Sequence, residues 1–215
     1  MADYKSIVEK YYKKFLTAEG NQYIAGMYAI ERVIKLIDTY DIKRVLEVGG
    51  GIGTFSYVIT KYAQQENKNI KYDLTEADAF CLTQIKKNFG EDIDKITIYN
   101  AIEDLNHNEK YDLIIIDGQD ESMAKVKDMA ATNAIIFIEG ARESTLNKMD
   151  TLFPNNIRAE SISLYKPKEG PHHPNLWSTG GGLIFINPTM SQKLDAYTEK
   201  VYTSLKFRVL RKLKS

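Results

Sequence analysis

The chain has 215 residues, room for one well-cored domain and too few for two. Its 29 lysines and arginines balance 29 aspartates and glutamates, so it lacks the field that captures nucleic acid, and no nucleic-acid partner is expected. A single cysteine, Cys81, excludes an internal disulfide framework, and the longest apolar runs, Leu113–Ile116 and Ala134–Ile138, are strand-sized rather than membrane-spanning. With no apolar leader at its start, the expectation is a soluble, cytoplasmic α/β enzyme.

Residues 3–18 pattern as a helix with two adjacent apolar rows, Ile7-Tyr11-Phe15 and Val8-Tyr12-Leu16. Ala18-Glu19-Gly20-Asn21 breaks it. A second helix follows, with Met27, Ile30, Ile34 and Ile37 on one side, ending near Tyr40. The next stretch, Arg44 to Thr54, organises the rest of the chain. Val45, Leu46 and Val48 read as a buried central strand, glycines stand at Gly49, Gly50, Gly51 and Gly53, and Phe55, Val58, Ile59 and Tyr62 share one face of a helix. Strand, glycine turn and helix make the first half of a βαβ unit. The backbone bends there, lets a ligand approach closely and offers the unpaired N–H groups of a helix start to a carboxylate or phosphate. The dinucleotide fingerprint does not fit, because Thr54 or Ser56 stands where its third glycine belongs, and no Gly-Lys pair supplies a P-loop.

What remains is Glu47-x-Gly49-x-Gly51-x-Gly53, an acid on the strand followed by alternating glycines. This resembles the first motif of the class I S-adenosylmethionine-dependent methyltransferases, and the likeness extends over roughly residues 25–188. The resemblance implies a seven-stranded, mostly parallel, doubly wound sheet. It implies S-adenosylmethionine as cofactor, with the glycine turn (Gly49, Gly50, Gly51, Gly53) against its methionine part and Glu47 helping to hold its ammonium group. It also implies that the helices before the first strand cover the cofactor and shape the acceptor site.

Ile70–Thr75 alternates as a second strand and ends in Glu76. A carboxylate there can accept hydrogen bonds from both ribose hydroxyls of a nucleoside, and Glu76 is preferred over Asp73, inside the strand, and Asp78, in the first turn of the next helix. That helix carries Leu82, Ile85 and Phe89, with Cys81 as a small core residue. Ile96–Tyr99 is a short third strand. The resemblance implies that the turn after it, with Ala101 and Ile102, packs against the adenine, while Asn100 or Glu103 meets the exocyclic amine; a plain polar loop is the alternative. Tyr111–Ile116 is the fourth strand, stopping at Asp117. The switch-point topology sets its carboxyl end beside that of the first strand, which puts Asp117 where cofactor and acceptor meet; an ordinary strand-ending turn is the other reading.

A short helix, 121–131, leads to a fifth strand, Ala134–Ile138, followed by Glu139-Gly140. Metal-assisted catechol-type O-methyltransferases look similar here, but Gly140 stands where they carry an asparagine, and no metal ligand is assigned. A helix over 142–153 and strands over 157–165 and 183–186 complete the sheet. The long loop between the last two strands, 166–182, carries His172, His173 and Trp177, which the family's antiparallel last strand would bring above the cofactor. His172 or His173 is the candidate base, with Asp117 positioning the acceptor; His107 reads as solvated. Residues 190–213 form a final helix with Leu194, Tyr197, Val201 and Leu205 on one stripe. That stripe is expected to pack inward, making the helix structural, with contact to an anionic membrane as the sharper alternative for its basic end.

The reading is one methyltransferase domain: N-terminal helices over 1–40, a Rossmann-like core over 41–188 and a basic C-terminal helix over 189–215. Its expected activity is methyl transfer from S-adenosylmethionine to a small-molecule acceptor, a hydroxyl oxygen first and nitrogen second. A nicotinamide-dependent oxidoreductase, disfavoured by the glycine spacing, and a non-catalytic cofactor-binding subunit that pairs through its terminal helices as a homodimer are the alternatives.

Overall fold

The computed structural model describes residues 3–118, 123–167 and 176–213. Two helices, α1 (Tyr4–Leu16) and α2 (Met27–Thr39), precede β1 (Arg44–Val48). Then follow α3 (Thr54–Gln65), β2 (Lys71–Thr75), α4 (Ala79–Phe89), β3 (Ile96–Tyr99), β4 (Tyr111–Ile116), α5 (Val126–Met129) and β5 (Ala130–Glu139). The chain continues through α6 (Glu143–Leu152), β6 (Asn156–Ser161), β7 (Gly181–Ile186) and α7 (Met190–Leu205). The sheet runs β3-β2-β1-β4-β5-β7-β6, parallel except for β7. This is the doubly wound α/β architecture the glycine motif implied. The strand order reverses between β1 and β4, so their carboxyl ends open one crevice.

The pleat of β1 divides the core. Val45 points into a cluster with α1, α2, α3 and α4, whereas Leu46 and Val48 point the other way, toward α5 and α6. β4 is apolar on both faces from Leu113 to Ile116, as a central parallel strand must be.

Three strand boundaries differ from the sequence expectation by two residues or more. β5 starts at Ala130, and the helix before it is only Val126–Met129; residues 130–133 are edge-like and partly exposed, so no apolar alternation marks them as strand. β6 stops at Ser161 instead of running on to Tyr165, because the Ser163 hydroxyl accepts from the Tyr165 N–H and turns the chain. β7 begins two residues early, at Gly181, where glycines weaken any strand signal.

The largest correction concerns α7. Its stripe faces solvent: Leu194 is 66% exposed, Tyr197 67%, Val201 53% and Leu205 46%. Apart from the buried Ala196, the inward face is polar. Gln192 donates to the Asn133 carbonyl, Asp195 accepts from the Tyr40 hydroxyl, Glu199 pairs with Arg32 at 3.2 Å, and the Thr203 hydroxyl donates to the Glu160 carbonyl. A π-turn over Lys206–Leu210 follows, and its Lys206 is buried, donating to the Tyr28 hydroxyl and the Ile162 carbonyl.

Candidate functional site

The site grows from the carboxyl ends of β1 and β4. Past the strands, pairing continues: the Asp117 and Gly118 N–H groups both donate to the Val48 carbonyl, at 3.0 and 2.8 Å, and those of Gly49 and Gly50 to the Thr75 carbonyl, each at 3.0 Å. The two strand ends thus pass very close. A Cβ on Gly49 would lie 2.4 Å from the Gly118 Cα, and Gly49 also has φ +84°, so only glycine fits. Gly51, at φ +52°, turns its N–H onto the Glu76 carboxylate at 2.7 Å.

That bond, with a second from the Asp78 N–H at 2.8 Å, holds Glu76 in place after β2. Its two rivals are otherwise engaged. Asp73 is fully buried and accepts from the Tyr111 hydroxyl, and Asp78 caps α4 by accepting from the Cys81 N–H. Glu76, Gly49, Gly51, Asp117, Gly118 and Glu139 line one cavity of about 340 Å³ with Tyr23 and Cys81. Burial pushes the Cys81 thiol up to about 12, which makes it a wall rather than a nucleophile.

Asp117 is the chemically tuned group here. Removal from water, and next the charge of Glu139, push its carboxyl up to about 7, against the opposing pull of Arg142. Arg142 also fixes the strand end, donating to the carbonyls of Ile116 at 3.0 Å and Asp117 at 2.9 Å. Among the described residues no group of three or more His, Cys, Asp or Glu is arranged to hold a metal ion.

The other expected residues sit around this cavity rather than in its wall. Glu47 is 1% exposed beneath the turn, its carboxylate accepting from the Tyr72 hydroxyl at 2.8 Å, and burial drives its pKa upward. Gly50 packs on Leu74, and Gly53 on Ile85 and Phe89. Ala101 is partly exposed after β3, whereas Ile102 is wholly buried in the core cluster with Leu46 and Val48. Trp177 is stacked by Lys166 and Arg211, whose charged groups lie 4.8 and 5.1 Å from its ring, and is not among the lining residues. His172 and His173 lie outside the described residues.

Sequence reading missed Gln22, Tyr23 and Ile24, which reach the cavity from a 3₁₀ turn, Asn21–Tyr23. Their one signal was the break at Gly20, which adopts φ +84°. Arg142 was also missed, being read only as the start of a helix.

No family model and no curated protein matches this sequence. Solved structures do match. An O-methyltransferase from Bacillus cereus in complex with SAH superposes with a TM-score of 0.60 at 13% identity, over 84% of this chain and 90% of that one. The fold is that of the methyltransferases. An SAH-bound methyltransferase from Podospora anserina gives 0.57 at 14% identity over 86% and 88% of the two chains. The O-methyltransferase TomG from Streptomyces achromogenes, in complex with SAM, gives 0.53 at 10% over 88% and 91%.

Proposed function

We propose that this methyltransferase-fold chain transfers a methyl group from S-adenosylmethionine to a hydroxyl of a small-molecule acceptor. The observation that carries the reading is the switch-point cavity, where a glycine turn, an oriented acid (Glu76) and a tuned acid (Asp117) converge. The O-methyltransferases of the same fold with bound SAH or SAM support it. A cytoplasmic setting is part of the reading, supported by the lone, buried cysteine.

The residues fit the cofactor. The turn at Gly51 leaves backbone at the cavity wall, and the two backbone donors on Glu76 occupy only part of its acceptor capacity, leaving lone pairs for ribose hydroxyls. When bound, the cofactor supplies a methyl already activated on sulfur. The chain's own task is then alignment and removal of one proton. In this reading Asp117, its carboxyl pushed up to about 7, takes that proton, and Arg142 steadies its backbone through the Asp117 carbonyl. His172 and His173 are the rival bases.

Titration calorimetry should show S-adenosylmethionine binding that Glu76→Ala weakens by about 1.5–3 kcal/mol. An unchanged affinity in a folded variant would remove Glu76 from the site. Activity on a responsive acceptor should rise with pH through about 7, and Asp117→Asn should remove that limb while His172→Ala/His173→Ala keeps it. Turnover that stops with chelator and returns with magnesium would instead make Asp117 and Glu139 metal ligands. Stability gives a readout that needs no acceptor. A raised carboxyl pKa costs stability as pH climbs from the ordinary aspartate value toward 7, and the full cost persists above it. Asp117→Asn should therefore match wild type near pH 4 and exceed it by about 1–2 kcal/mol at pH 8.

A further inference from the structure

Among the described residues, nothing packs over the outer face of α7. Met190, Leu194, Tyr197, Val201 and Leu205 form a continuous exposed apolar stripe, 77% exposed at Met190, along a helix about 24 Å long. Charge is segregated about the same axis. Both acids of the helix, Asp195 and Glu199, are spent inward on Tyr40 and Arg32. Lys193, Lys200 and Arg208 are exposed and form no ion pair among the described residues. Beneath the helix, a half-open cavity of about 480 Å³ against α1 and α2 holds the Arg32–Glu199 pair and the Lys206–Tyr28 bond, with Lys5, Glu31 and Lys35 also in its wall. The acids of α7 are thus engaged on its inner face, while its outer face combines exposed apolar surface with cations and carries no acid of the helix itself.

We propose that α7 docks this chain onto a membrane surface bearing anionic headgroups, the stripe entering the acyl boundary and Lys193, Lys200 and Arg208 meeting the lipid charge. Charge complementarity selects this occupant over a second copy. Two α7 faces brought together would set lysines and Arg208 against one another, and the neighbouring Glu160 is already paired with Arg158. No helix among the described residues is long and apolar enough to cross a membrane, so the contact is peripheral. The proposal stands independently of the methyl-transfer reading.

The test is co-sedimentation of the full chain with vesicles of phosphatidylglycerol and phosphatidylcholine in equal parts, against phosphatidylcholine alone. Three surface cations should favour the anionic vesicles about 100-fold, and the preference should vanish near 1 M salt, where the Debye length is about 3 Å. Leu194→Gln/Val201→Gln and Lys193→Glu/Lys200→Glu/Arg208→Glu should each lose binding while unfolding at the wild-type temperature. Absent or equal binding to both vesicles would overturn the proposal. So would a wild-type dimer in analytical ultracentrifugation that Leu194→Gln/Val201→Gln dissociates, without any vesicle binding.

Discussion

α2 and α7 carry the same apolar spacing and meet opposite fates. In α2, Ile30, Ile34 and Ile37 lie at i, i+4 and i+7 and are buried in the core against α1 and α3. In α7, Leu194, Tyr197, Val201 and Leu205 keep a comparable period and stand in solvent, while Gln192 and Thr203 turn to the sheet and Asp195 and Glu199 to Tyr40 and Arg32 at α2. Periodicity therefore establishes that a helix has two faces and leaves open which of them the protein covers. The covering is decided by the partner surface. α2 packs among apolar helices, whereas α7 comes down on the β6 edge and on the polar ends of Tyr40 and Arg32, where its acids and amides find partners.

The contrast is sharpest at the largest expected effect. Ile34→Ala in α2 should cost about 2–5 kcal/mol by denaturant unfolding, since a fully buried side chain leaves a cavity that a well-packed core fills poorly. A loss below about 1 kcal/mol would mean that α2 is only loosely docked and that the two helices are alike after all.

The inner face of α7 should give the intermediate effect. Arg32 and Glu199 have side chains 10% and 14% exposed, so deleting the acid leaves a guanidinium poorly hydrated and unpaired. Glu199→Ala should cost about 1–3 kcal/mol, read by thermal or denaturant unfolding. A neutral result would show the pair to be incidental and would leave α7 without its main polar anchor.

The same distinction explains what the sequence made legible. The glycine turn, Glu76 and Asp117 follow from backbone position: a strand end, a turn and the residue after them land together whenever the sheet is doubly wound. Counting along the strand and into the next helix also separated the three acids as they stand: Glu76 lines the cavity, while Asp73 is buried on Tyr111 and Asp78 caps α4. Gln22 and Tyr23 arrive at the cavity from a segment before the sheet, announced only by the break at Gly20, and Arg142 reaches the carbonyls of Ile116 and Asp117 from beyond β5 with no local signal of that contact. Glu47 was legible as an acid, but not its engagement with Tyr72, which depends on the parallel register between β1 and β2. The orientation of α7 was hidden for the same reason, because its partners come from α2, the residue after it, and the sheet.

The smallest effect is the most telling. Leu194→Ala sits at a position whose spacing would pass for core, and a packed leucine there would cost about 2–5 kcal/mol on truncation. Exposed at 66%, it should change unfolding free energy by no more than about 0.5 kcal/mol, with Tyr197→Ala behaving alike. Both variants remove apolar surface from water in the free protein, so neither loses a burial term on folding; what remains is a small helix-propensity change, favourable for alanine at both positions. A cost above about 2 kcal/mol would place the stripe against something within the chain itself and return α7 to the same class as α2. A near-zero cost, set beside the loss expected for Ile34→Ala, would mean that the stripe is kept for a contact made outside the folded chain.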